Sequence, residues 1–263
     1  MSAGQPPLPS QSAKPQVKAL NCPQCGAAIT LRSFQQAVTV VCENCHSILD
    51  AKDPTLKILQ QFQAITGELK PLIPLGTRGK LRGTDYEVIG FQRRSIESDG
   101  VRYDWHEYLL FNPYKGFRYL TEYLGHWTVV RVLNALPEPA VARGRPGARM
   151  DGRVYAAFDS MTASTDYVIG EFPWQVRRGD SAVCRDFIAP PYMLSSETTE
   201  GEVTWSLGEY WEGSKIWQAF RLPGSPPYPE GIFANQPSPY AGKSGSAWRT
   251  SAPTAGSAPS PAR

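Results

Sequence analysis

The chain has 263 residues, of which 41% are hydrophobic and 11% aromatic, enough apolar material for the core of one to two domains. A formal net charge of +3 over this length does not predict the clustered basic face that tracks phosphates. No stretch approaches the roughly 18 uninterrupted apolar residues of a membrane helix, and Met1–Lys14, rich in Pro, Ser and Gln, lacks the apolar centre of a signal peptide.

Residues 1–19 carry no hydrophobic periodicity and read as a disordered arm. Residues 20–50 contain Cys22-Pro-Gln-Cys25 and, after sixteen intervening residues, Cys42-Glu-Asn-Cys45. Two Cys-x-x-Cys pairs at this distance match a zinc ribbon, in which two turns bring four soft thiolates around one tetrahedral zinc. Gly26 follows the first pair, where a tight turn favours a residue tolerant of positive φ. Ile29–Val41 is available for a hairpin between the two turns. The competing explanations are a pair of disulfides and a coincidence of spacing. His46 adjoins Cys45 but reads as a turn residue, because four sulfurs already close the site. Of the five cysteines, four have metal spacing and Cys184 stands alone in an apolar run, a usage that fits a reducing compartment and predicts a soluble cytoplasmic protein.

Asp53-Pro54 resembles a helix N-cap with proline at the first helical position, and the spacing of Leu56, Ile58, Leu59, Phe62 and Ile65 predicts a linker helix over 53–67. From Leu75 the pattern turns to β. Tyr86–Phe91 and Tyr103–Phe111 are aromatic and β-branched runs separated by the turn signal Asp99-Gly100. Phe117–Leu120 and Trp127–Leu133 complete a first β half over 75–135, and 136–149, with its three prolines, reads as a loop. A second β half spans 150–221, with a hairpin from Tyr192 to Tyr210 turning near Glu200-Gly201 and a closing helical turn over Ser214–Phe220. Residues 224–263, dominated by Pro, Gly, Ser and Ala, read as a disordered tail. The fold class is therefore mainly β: a small zinc ribbon followed by a two-part antiparallel β domain, barrel-like or a curled sheet. A unit of about 30 residues needs a staple, whereas 75–220 has its own apolar core, so loss of zinc is expected to unfold the ribbon and spare the β domain.

Asp104, His106 and Glu107 gather three titratable groups, but Leu110 stands where a metalloprotease helix needs its second histidine. Trp105, Trp127, Trp174, Trp205 and Trp211 are numerous for a domain of this size, several glutamates sit beside aromatic residues, and Trp105, Glu107, Glu171, Trp174, Glu197, Trp205 and Glu209 are the candidates for binding a ligand or partner. Aromatic faces attract cations and carboxylates complement them; the plain alternative is core packing for the rings and loop capping for the acids. Arg78, Lys80, Arg82, Arg93 and Arg94 are interleaved with Asp85, Glu87, Glu97 and Asp99 and read as a mixed-charge surface. No phosphate loop, dinucleotide fingerprint or nucleophile elbow occurs.

The motifs Gly76-x-x-Gly79, Tyr86-x-Val88-Ile89-Gly90, Trp105-x-Glu107-Tyr108-x-Leu110, Leu120-x-x-x-x-Gly125-x-Trp127, Gly170-Glu171-Phe172-Pro173-Trp174, Ala189-Pro190-Pro191 with Glu197, and Trp205-Ser-x-Gly208-Glu209-Tyr210 resemble the bacterial domain-of-unknown-function family numbered 4178. The likeness runs from about Gly76 to Phe220. It implies a β domain often preceded by a zinc ribbon, and a setting beside polyamine-synthase-like enzymes and small membrane proteins of envelope-stress systems. It implies no reaction. The expected function is a non-catalytic zinc-ribbon binding or adaptor protein, with zinc as cofactor and a protein or a cationic small molecule as partner. The alternatives are a hydrolase-like enzyme using the β-domain carboxylates, or a ribbon that binds nucleic acid, for which only Arg32 and Phe34 are on offer.

Overall fold

The fold is known from a computed structural model that describes residues 18–33, 35–61, 69–142 and 144–238. Each cysteine pair sits in the turn of its own hairpin. The strands β1 (Lys18–Asn21) and β2 (Ala28–Leu31) flank Cys22 and Cys25; β3 (Thr39–Val41) and β4 (Ile48–Asp50) flank Cys42 and Cys45. The hairpin expected within Ile29–Val41 does not form, since β2 pairs with β1 and β3 with β4.

The helix expected over 53–67 is corrected for its described part. Asp53 Oδ1 accepts the Thr55 N–H at 2.7 Å and the Thr55 hydroxyl at 2.6 Å, closing a turn. Leu56 then takes a positive φ of 54°, and β5 (Ile58–Gln60) pairs with β4. The apolar spacing is used differently: Leu56 and Ile58 pack into the ribbon, and Leu59 packs towards the β domain. Residues 62–68 lie outside the described residues.

Eight antiparallel strands close a barrel. In order around it they are β7 (Thr84–Ser98), β8 (Val101–Asn112), β9 (Gly116–Tyr123), β10 (His126–Val132), β16 (Glu202–Trp211), β15 (Tyr192–Thr199), β14 (Ser181–Ala189) and β13 (Arg153–Phe172), which returns to β7. The β7–β8 turn is Asp99-Gly100 with both φ positive, 52° and 75°, the backbone a two-residue hairpin loop demands. At the closure Gly90 pairs with Gly170. A Cβ on Gly170 would lie 2.2 Å from the Ile89 carbonyl oxygen, and one on Gly90 would lie 2.6 Å from that of Glu171, so only glycines let the two backbones meet there.

Two apolar layers cover the outside of the barrel. On one side, Val88, Phe91, Tyr108, Leu110, Leu120 and Trp127 pack under Ile73, Leu81 of β6 (Arg78–Leu81), and Ile216, Trp217 and Phe220 of α1 (Gly213–Phe220). Trp127 is fully buried, and its ring meets that of Trp217 at 5.8 Å. Burial of a side chain of this class contributes about 1.5–3 kcal/mol or more. On the other side, Leu194, Leu207 and Phe187 lie with Ala148 and Met150 of a hairpin, β11 (Glu138–Ala142) and β12 (Arg145–Met150). This hairpin corrects the loop expected over 136–149. Its prolines are tolerated because β11 is an edge strand and Pro146 precedes the residues of β12 that pair with β13.

The disordered tail expected over 224–263 is corrected for 224–238, which lie along the barrel. Glu230 N–H donates to the Leu124 carbonyl at 2.9 Å, Phe233 stacks on His126 at 5.5 Å, and the fully buried Asn235 donates to the Pro191 carbonyl at 3.4 Å. Pinned backbone and a ring stack hold a segment that composition alone does not order. Residues 239–263, like 1–17, lie outside the described residues.

Candidate metal centre and the barrel interior

The two cysteine turns are built alike. Gly26 N–H donates to the Cys22 carbonyl and His46 N–H to the Cys42 carbonyl, both at 2.9 Å, with positive φ of 74° at Gly26 and 57° at His46. His46 is thus the counterpart of Gly26 in the second turn, and its ring lies 5.8 Å from that of Tyr167. The ligand atoms of Cys22, Cys25, Cys42 and Cys45 all lie within 4.8 Å of one another. Cys22 Sγ is 3.6 Å from Cys45 Sγ and Cys25 Sγ 3.7 Å from Cys42 Sγ. A disulfide would need about 2.05 Å, whereas four sulfurs each about 2.3 Å from one tetrahedral ion stand about 3.8 Å apart. The donor set and its spacing therefore fit a metal bound by four thiolates.

The thiols differ in their readiness to ionise. A hydrogen bond from Asn44, with help from the Ala27 backbone, brings exposed Cys25 down to about 6, while burial pushes Cys42 up to about 12. A metal bound by these thiolates would have to displace their protons, so its binding would depend on pH.

Glu171, on β13, is 1% exposed. Its Oε1 accepts the Arg32 N–H at 2.7 Å, and its Oε2 accepts both the Ser33 N–H and the Ser33 hydroxyl at 2.8 Å. Burial raises its pKa, and the backbone donors of Arg32 and Ser33 oppose that rise. The carboxylate is thus a clasp between barrel and ribbon.

Inside the barrel, Arg94 of β7 reaches strands that are not its neighbours. Its guanidinium lies 2.8 Å from Glu197 Oε1 on β15 and 4.0 Å from Cys184 Sγ on β14. It lies 3.7 Å from Glu107 Oε1 on the adjacent β8 and 5.8 Å from the centre of the Trp105 ring. Glu107 Oε1 accepts the Trp105 indole N–H at 2.7 Å, and Oε2 accepts from Gln92 at 2.6 Å. Burial works against the Arg94 charge, but Glu107 and Glu197 outweigh it and hold the guanidinium protonated more firmly than usual. Burial pushes the Cys184 thiol up to about 12, an inert state. Nearby on β14, burial raises Asp186 to about 6 despite a 2.6 Å hydrogen bond from Ser195, with Asp159 opposite it on β13 adding to the rise.

The sequence candidates therefore occupy separate places. Trp105, Glu107 and Glu197 come together around Arg94. Glu171 is the clasp, and Trp174 packs on Phe172 and Tyr119 at 5.3 and 6.1 Å. Trp205 packs on Phe187 at 5.6 Å, and Glu209 pairs with Arg82. Sequence reasoning missed Arg94, which it placed on a mixed-charge surface and which is 5% exposed. The available signal was strand alternation: of Arg93 and Arg94, one must point into a barrel. His106 Nδ1 lies 2.7 Å from Glu122 Oε2, a pair separate from the Arg94 cluster.

Among the described residues no helix is long and apolar enough to cross a membrane. No curated protein and no solved structure matches the chain. The family model of a domain of unknown function, DUF4178, matches residues 74–213, which take in the whole barrel. With more than half of its length matched, the chain belongs to the DUF4178 family.

Proposed function

We propose that this chain is a non-catalytic binding or adaptor module of the cytoplasm, in which Cys22, Cys25, Cys42 and Cys45 hold a structural zinc and the barrel recognises a partner. Four thiolates leave no open coordination position, so zinc, when bound, would cross-link the two cysteine hairpins and carry out no reaction. A reducing compartment keeps the thiolates available to the metal.

The observation that supports the recognition reading is the excess of acid around Arg94. Glu107 and Glu197 face a single guanidinium beside the Trp105 ring, and the Glu197 side chain is 42% exposed. Such a site suits a protein partner's cationic side chain or a small amine. The experiment is titration calorimetry of zinc-loaded protein with spermidine, beside Glu197→Gln. Binding weakened about tenfold or more by the substitution, a loss of about 1.4 kcal/mol, supports the amine; no heat with the unsubstituted protein removes the amine and leaves the protein partner. A second, enzymatic reading draws on Asp186, whose carboxyl titrates near 6 opposite Asp159. Hydrolase activity on generic ester or glycoside substrates that Asp186→Asn abolishes would establish it.

A further inference from the structure

We propose that metal occupancy of the four-cysteine site controls whether one end of the barrel is shut: the loaded ribbon is a stopper, and the emptied ribbon withdraws and uncovers the apolar barrel wall beneath it. This rests on the reading that the cysteines hold zinc.

The coupling is written into strand alternation. Neighbouring residues of a strand point to opposite faces. On β3, Val40 belongs to the small core around Cys22 and Cys42, while Val41 belongs to the barrel-side core with Leu109, Phe111, Phe117 and Val168. On β4 the same division recurs: Ile48 faces the barrel and Leu49 the metal-side core. Val41 adjoins Cys42, and Ile48 lies three residues beyond Cys45. The strands that the metal would organise therefore carry the barrel's stopper on their other face. A unit of about 30 residues buries too little to hold this arrangement by itself, and metal binding supplies folding free energy to such units.

The attachment is specific. Thr39–Val41 pair with Gly170–Phe172, and Val38 N–H donates to the Phe172 carbonyl at 2.8 Å. Glu171 clasps the backbone of Arg32 and Ser33, and the Arg32 guanidinium lies 2.6 Å from Glu87 on β7. If the ribbon core melts, the Glu171 carboxylate loses all three of its donors and turns to water, and the ladder between Thr39–Val41 and Gly170–Phe172 is lost with them. Gly170, opposite Val41 in that ladder, is also where β13 closes the barrel against Gly90 of β7. Metal loss would thus reach the barrel seam, in contrast to the independent behaviour of the two units expected from the sequence.

The test is hydrogen exchange on the full chain, with zinc content measured in the same samples, before and after a strong zinc chelator. The expected result is one equivalent of zinc before chelation and, after it, exchange faster by about tenfold or more at 89–91, 109–117 and 168–172, with little change across the β15–β16 hairpin. Binding of an apolar dye should rise in parallel. Zinc removed with no change of exchange at those three segments overturns the gating and leaves the zinc reading standing. Uniform acceleration through β15 and β16 also overturns it, as global unfolding. Less than half an equivalent of zinc at the outset overturns the zinc reading and the gating together. A control variant, Val41→Ala, keeps every cysteine; it should bind one zinc and still show faster exchange at 109–117, and unchanged exchange there would refute the stopper role.

Discussion

Ser33 and Glu171, 138 positions apart, are joined twice through one oxygen: the N–H and the hydroxyl of Ser33 both donate to Glu171 Oε2 at 2.8 Å. With the Arg32 N–H on Oε1, this one side chain adds three hydrogen bonds to the β3–β13 ladder that joins the ribbon to the barrel.

Glu171→Gln is expected to lower stability by about 1–3 kcal/mol, because an amide nitrogen would face backbone donors that need an acceptor. Zinc content should remain one equivalent, since no cysteine is touched. Denaturant unfolding with elemental analysis on the same sample checks both. An unchanged midpoint would return Glu171 to the list of ligand-binding candidates.

Cobalt offers a direct view of the metal site. Cobalt-loaded protein should show thiolate-to-metal charge transfer and the intense visible bands of a tetrahedral four-sulfur site, and Cys42→Ser should weaken both. Titrated downward in pH, the bands should fade as protons compete for the thiolates, Cys42 holding its proton most tightly because it is the thiol that burial has pushed up to about 12. Octahedral, weakly coloured cobalt would contradict the geometry.

Arg94→Met should be among the most damaging single changes, on the order of 3–5 kcal/mol, since it leaves Glu107 paired only with neutral donors in the barrel interior. The double change Arg94→Met with Glu107→Gln should recover part of that loss, because it removes the stranded charge. A thermodynamic double-mutant cycle measures the recovery. Strict additivity of the two changes would show that the 3.7 Å approach of Arg94 and Glu107 carries no energy.

Asp186 gives a pH signature. Its carboxyl titrates at about 6 in the fold, above the ordinary 3.8, because burial disfavours the charge. The folded state therefore holds its proton more tightly than the unfolded chain, so this residue's contribution is best below pH 3.8 and is lost as pH rises through about 6. Asp186→Asn should raise the melting temperature at pH 7–8, by up to about 3 kcal/mol in stability, and change little near pH 4. Chemical denaturation of both proteins at the two pH values decides the matter; a variant destabilised at pH 7 would show that the charge is needed.

The four-cysteine cluster was legible because it is local. Two Cys-x-x-Cys turns form hairpin knuckles from a few residues each, and Asp99-Gly100 closes its hairpin from its own φ preferences. The β character of 75–221 and the closing helix were legible for the same reason. Short-range pattern misled wherever a distant surface was present to receive the residues. Leu56, Ile58 and Leu59 have helical spacing but satisfy two different cores as turn and strand. The proline-bearing segment 138–150 becomes a hairpin because β13 offers it an edge, and 224–238 are ordered because Leu124, His126 and Pro191 hold them.

The side chains that matter most were decided only by closure. An eight-strand sheet acquires an inside when β13 meets β7, and that pairing joins residues some 70–80 positions apart. Only then does Arg94 become an interior charge while Arg93 stays on the outer face, and only then does Glu171 meet the backbone of Arg32 and Ser33. Composition and spacing determine which turns and strands can form; which face of each strand is sealed from water depends on curvature and long-range pairing, which no local window of the chain contains.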